Sequence, residues 1–88
     1  MSIREISTLP KFDKQYKKLP KQIKELAKEK ERFFREDPFH PKLRTHKLHG
    51  KEKEVWAFSV DYRYRIKFIF LNSASVIFIN IGTHDEVY

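Results

Sequence analysis

Apolar residues recur along this chain with two different periods, and the change falls at a pair of prolines. Upstream, Leu9, Phe12, Tyr16 and Leu19 lie three or four residues apart and make one stripe of a helix, with Lys11, Lys14, Lys17 and Lys18 toward solvent. Thr8, just before Leu9-Pro10, reads as its N-cap, because a hydroxyl accepts from free first-turn N–H groups and proline suits the first helical position. Pro20 opens a second helix with Ile23, Leu26, Ala27, Phe33 and Phe34 on its apolar face. Lys21, Lys24, Glu25, Lys28, Glu29 and Arg32 form its charged face, with several pairs three or four residues apart. The two helices are expected to run antiparallel. Ahead of them, the short, partly β-branched stretch Ile3 to Ser7 reads as an edge strand.

The segment Asp37-Pro38-Phe39-His40-Pro41 cannot continue a helix, since each proline lacks a donor and restrains the residue before it. Beyond it the period becomes two. Leu43 to Leu48 reads as a weak strand, Gly50-Lys51-Glu52-Lys53 as a polar turn, and Val55 to Val60 as a strand rich in aromatic and β-branched residues. Tyr64, Ile66, Phe68 and Phe70 alternate with Arg63, Arg65, Lys67 and Ile69, so the next strand has an apolar face and a cationic one. Asn72-Ser73 turns the chain, and Val76 to Ile81 returns as the most apolar run. The expected fold is α+β: an N-terminal strand, two antiparallel helices, then a three- to four-stranded antiparallel meander packed on the helices, as one domain over residues 1–88. The sheet face away from the helices should carry Arg63, Arg65 and Lys67.

Charge adds a partner to this picture. The formal net charge is +7, which suits a polyanion, because lysines and arginines that neutralise phosphates release condensed counterions. An acidic protein is the alternative. The basic excess lies upstream, and in the last third Arg63, Arg65 and Lys67 are the only Lys or Arg, which marks them as placed for a purpose. With no cysteine there is neither a disulfide framework nor a thiolate metal site. No apolar N-terminal stretch suggests a signal peptide or membrane span, so a cytoplasmic location is expected.

Candidate chemistry gathers at strand ends. His84 follows the last apolar strand in Gly82-Thr83-His84, His46 opens His46-Lys47-Leu48-His49-Gly50, and Arg65 sits inside a strand. Cleaving RNA through its own 2′-hydroxyl needs a base, an acid for the departing 5′-oxygen and a cation for the charge growing on the phosphorus oxygens. Imidazole serves either proton-transfer role and guanidinium grips phosphate bidentately. His46, Arg65 and His84 supply these types, and Tyr88, four residues beyond His84, can stack on a base or donate a hydrogen bond. Arg63 and Lys67, with Lys47, Lys51 and Lys53 around the polar turn, are candidates to hold RNA phosphates. Plainer roles compete: a solvated strand end for His84, solvent surface for His46, and a carboxylate partner, Asp61 or Glu54, for Arg65. His40 and His49 read as loop residues. No glycine-rich phosphate loop, metal-spaced histidine pair or glycine-flanked serine is present, so no metal or cofactor is expected.

Lys47-Leu48-His49-Gly50, the Tyr64-Arg65-Ile66 strand and the closing Gly82-Thr83-His84, within this order of elements, resemble the RelE-like toxins of bacterial and archaeal type II toxin–antitoxin systems, nearest the YafQ branch. The resemblance spans the chain as architecture, and its motifs lie in residues 45–88. It implies a small basic ribonuclease that cuts messenger RNA on the ribosome and is silenced by a cognate antitoxin. His46 and His84 match the two histidines of the YafQ branch, Tyr88 matches an aromatic residue four positions beyond the second, and Arg65 matches the catalytic strand arginine of RelE and YoeB. Ser59 and Arg63 stand where YafQ has a further histidine and an aspartate, and Trp56 and Phe58 where RelE has lysines. The same fold also serves ParE toxins, which poison DNA gyrase, and a catalytically silent RNA- or antitoxin-binding module would share it too.

Overall fold

The computed structural model describes residues 2–50 and 54–84 of the chain. Its elements run β1 (Glu5–Thr8), α1 (Pro10–Lys17), α2 (Lys21–Glu36), β2 (His46–Lys47), β3 (Trp56–Ser59), β4 (Tyr64–Asn72) and β5 (Ser75–Thr83). The five strands form one sheet in the order β1-β5-β4-β3-β2. Strands β2 to β5 make the expected antiparallel meander, and β1 joins β5 in parallel at the sheet's edge. That pairing was not legible from periodicity. It requires the chain to cross over the sheet between β1 and β5, which the helices and the meander accomplish.

Alternation along β3, β4 and β5 separates the two faces. Phe58, Ile66, Phe68, Val76, Phe78 and Ile81 point toward the helices and are buried with Ile3, Phe12, Ala27 and Phe34. Phe34 of α2 is fully buried, stacks on Phe58 at 4.9 Å, and meets Phe68 and Phe78 edge-on at 4.9 and 5.5 Å. One side chain thus fixes α2 across three strands. α1 attaches through Phe12, whose ring lies 5.4 Å from that of Phe78.

Two local readings change. Thr8 ends β1 instead of capping α1; Leu9 takes the cap position, and the Thr8 hydroxyl donates to the Asp13 carboxylate at 2.7 Å. The weak strand over 43–48 shrinks to His46–Lys47, because Pro41–Leu43 coils into a short 3-10 turn that Arg44 leaves with a left-handed φ of 52°. β5 also outruns β1, which would leave the Ile81 N–H open at the sheet edge. Gln15 from α1 accepts that hydrogen at 2.8 Å, so the helix closes the edge that the short strand leaves uncovered.

Truncating Phe34 to alanine should cost about 3–5 kcal/mol, a large share of the ~5–15 kcal/mol that holds a domain of this size together. Urea unfolding of wild type, Phe34→Ala and Phe34→Leu measures it, with leucine expected between the other two. A loss under about 1 kcal/mol for alanine would mean that Phe34 does not fasten α2 to the sheet.

Candidate functional site

Residues directly opposite one another in a ladder share a face, so the register lays out the side of the sheet turned away from the helices. One rung runs His46, Ala57, Lys67, Asn80, and the next runs Ser59, Arg65, Gly82. One step further, the His84 N–H donates to the Arg63 carbonyl at 3.0 Å, so this pair extends the ladder beyond the last regular rung. Arg65 therefore stands between a serine and a residue without a side chain, one rung from Arg63 and His84. These three are brought together.

The β3–β4 connection positions them. The Asp61 carboxylate accepts the Arg63 and Tyr64 N–H groups at 2.8 and 2.7 Å, and the Val60 N–H donates to the Tyr64 carbonyl at 2.9 Å. Aspartate favours such turns because its short side chain reaches backbone two residues on. With its carboxylate so occupied, Asp61 is not the ion-pair partner considered for Arg65. Instead Nη1 of Arg65 donates to the backbone carbonyls of Asp61 and Tyr64. A guanidinium has five donors, and among the described residues Arg65 makes no ion pair. It is thus a half-buried cation, held by backbone and carrying donors to spare.

His84 is exposed and lines a shallow cleft of about 300 Å³ with Tyr62, Arg63 and Thr83. His46 is exposed at the opposite edge, its Nδ1 3.1 Å from the Arg44 carbonyl. On a flat sheet, three strand spacings and four residues of rise would separate the His46 and His84 backbones by about 20 Å. The two imidazoles flank the arginine instead of adjoining each other.

Other candidates fare differently. Lys67 is 7% exposed, so a phosphate reaches it only at the floor of the face. Beside it Asn80, 4% exposed, has its Oδ1 without a hydrogen-bond partner among the described residues. Arg63 lies in the turn instead of in the strand and is exposed. Lys47 pairs with Trp56, on the helix side, and its ammonium lies 6.0 Å from the centre of that ring; it does not share a face with Arg65. Tyr88, Lys51 and Lys53 lie outside the described residues. His40 is structural: its Nδ1 accepts the Lys42 N–H at 3.1 Å and its ring packs 4.8 Å from Phe33. Among the described residues no three His, Asp or Glu side chains gather where a metal would be held, and no helix is long and apolar enough to cross a membrane. Tyr62 escaped the sequence reading, and Asp61 entered it only as a candidate ion-pair partner of Arg65, not as the acceptor that orders the turn. Their signal was an aspartate opening a three-residue gap between two strands, with a solitary aromatic beside it.

No protein-family model and no curated protein matches this sequence. Solved structures do. YafQ from E. coli strain BL21(DE3) superposes with a TM-score of 0.79 at 19% identity, over 97% of this chain and 98% of that one. The YoeB/ParE toxin from Agrobacterium tumefaciens gives 0.78 at 13% identity over 92% and 99%, and the archaeal RelE–RelB complex from Pyrococcus horikoshii gives 0.71 at 16% over 94% and 96%. The chain has the RelE-like toxin fold, as the resemblance of its motifs and layout implied.

Asp61→Ala removes the acceptor of two backbone N–H groups and should destabilise the protein by about 1–3 kcal/mol, with faster hydrogen exchange at Arg63 and Tyr64. Asp61→Asn keeps an acceptor oxygen and should recover most of the loss. Equal protection of those amides in all three proteins would show that the turn stands without the carboxylate.

Proposed function

We propose that this protein is the toxin of a type II toxin–antitoxin pair and cuts messenger RNA on the ribosome, in the cytoplasm, as an endoribonuclease. The observation that carries the reading is Arg65, a guanidinium on a strand face with no carboxylate partner among the described residues, one rung from His84. In the proposed reaction one imidazole takes the proton of the 2′-hydroxyl, and the freed oxygen attacks phosphorus. The bond to the 5′-oxygen then breaks and the second imidazole protonates the leaving oxygen. The products are a 2′,3′-cyclic phosphate and a 5′-hydroxyl end. Attacking and leaving oxygens lie on opposite sides of phosphorus, so the reaction requires the acid and the base to reach in from either side of the cation, each within hydrogen-bond distance of its oxygen. His84 and His46 would share these roles, Arg65 would stabilise the phosphorane, and Arg63 and Lys67 would hold flanking phosphates. Tyr88 would contribute from beyond His84.

Partners follow from the same reading. E. coli YafQ is held in the DinJ–YafQ toxin–antitoxin complex, which superposes on this chain with a TM-score of 0.77 at 19% identity, and a cognate antitoxin is proposed here. The exposed lysines of α1 and of the residue that ends it suit ribosomal RNA: Lys11, Lys14 and Lys18 line a shallow groove with Gln15. A gyrase-poisoning activity is the second reading, since one of the superposing structures is described as a YoeB/ParE toxin.

Primer extension on messenger RNA after brief induction separates these readings. Wild type should create discrete 5′ ends. Removing a well-placed donor to a developing oxyanion costs on the order of 3–4 kcal/mol, so Arg65→Ala should cut about 10²–10³-fold more slowly. Equal cleavage by Arg65→Ala removes that role, and full cleavage by His46→Ala, with His84→Ala inactive, removes His46 from the reacting group. Growth arrest with intact message and damaged DNA supports the gyrase reading.

Ribosome binding gives a second test. Changing Lys11, Lys14 and Lys18 to glutamine should flatten the dependence of log affinity on log salt by about 0.7–0.9 for each phosphate no longer neutralised. An unchanged slope places the ribosome-binding surface elsewhere.

A further inference from the structure

Tyr62 is the most exposed large hydrophobic residue described, at 84%. A phenol ring left in water at the tip of a tight turn gains nothing for the fold. Among the described residues it has neither hydrogen bond nor ring contact. Yet its backbone is fixed, because the Asp61 carboxylate and the pairing of Val60 with Tyr64 close the turn on either side of it. The ring stands on a rigid post beside the shallow cleft it shares with Arg63, Thr83 and His84.

The company it keeps narrows what it can bind. Arg63 supplies an exposed cation, His84 an exposed imidazole and Thr83 a hydroxyl, while the Asp61 carboxylate, whose Oδ1 accepts two backbone N–H groups, does not line the cleft. An aromatic face beside a guanidinium and an imidazole, with no carboxylate among the cleft's described residues, matches an unstacked nucleotide: the base lies on the ring and the phosphate meets the guanidinium. A protein partner would more naturally use the exposed apolar side chains of Phe39 and Leu71, neither of which lines the cleft. We propose that Tyr62 is the stacking platform for a single-stranded RNA base adjoining the reacting phosphate, in a subsite completed by Arg63, Thr83 and His84. Its place next to the reacting phosphate rests on the ribonuclease reading; the stacking itself does not. Because every base has a π-face, this contact selects for a splayed single strand and tolerates sequence.

The test is binding of the full-length protein to a fluorescent oligouridylate of about six nucleotides. The oligonucleotide carries 2′-O-methyl groups, so no nucleophile remains and affinity is read without cleavage. Tyr62→Ala should weaken binding by roughly 5- to 100-fold, Tyr62→Phe should bind like wild type, and all three should melt at the same temperature. Placing one abasic nucleotide at each position in turn should reveal a position that weakens wild type as much as the alanine substitution does, and weakens the alanine variant no further. Equal affinity of wild type and Tyr62→Ala overturns the proposal. So does unchanged RNA affinity with impaired binding of the cognate antitoxin, which would assign the ring to a protein interface. Cleavage of unmodified message by the same proteins separates the two levels. Tyr62-dependent binding without cleavage by wild type keeps the subsite and removes the ribonuclease reading; intact cleavage with Tyr62-independent binding does the reverse.

Discussion

Phe34 is the contact on which both faces of the sheet depend. It reaches from α2 to Phe58, Phe68 and Phe78 on three successive strands, and so ties the one long helix to a single register of the meander. Because side chains alternate with period two, a slip of one residue in β4 would drive Arg65 and Lys67 into the core and turn Ile66 and Phe68 to the other side. Fixing the aromatic face therefore fixes the cationic face without a direct contact to it. This is how a small domain holds polar groups in place on a surface with little packing of its own.

The site face is built from the rungs outward. Small residues, Ala57, Ser59 and Gly82, occupy the strands on either side of Arg65 and Lys67, which leaves room for long cationic side chains. At the open end of the ladder the burden passes from strand pairing to one carboxylate. Asp61 orders the turn whose carbonyls receive the Arg65 guanidinium and whose Arg63 carbonyl receives the His84 N–H. Arg65 thus hangs on backbone carbonyls, and a guanidinium held by neutral carbonyls keeps its charge available for an anion.

Charge is divided by position. The lysines of α1 and α2 are mostly exposed and spread, as befits a long polyanion met by many weak contacts. On the sheet face the cations are few and at graded depth: Arg63 exposed, Arg65 half-buried and Lys67 nearly covered. Such a gradation would suit one closely held anion, as the proposed reaction requires.

The sequence by itself determined the elements. Spacing of Leu9, Phe12 and Tyr16, the two prolines after Asp37, and the alternation from Tyr64 to Phe70 report local geometry, and local geometry is written in neighbouring residues. It also identified Arg65 and Lys67 as sharing a face away from the core. Only the tertiary structure decided that β1 lies parallel to β5, that Lys47 faces the helix side, that Arg65 is held by the carbonyls of Asp61 and Tyr64, and that His46 and His84 stand at opposite edges with Arg65 between them. Each of these depends on which strands adjoin and in what register. Those relations join residues far apart in the chain and are set by the fit of the aromatic core, so no periodicity in the sequence carries them.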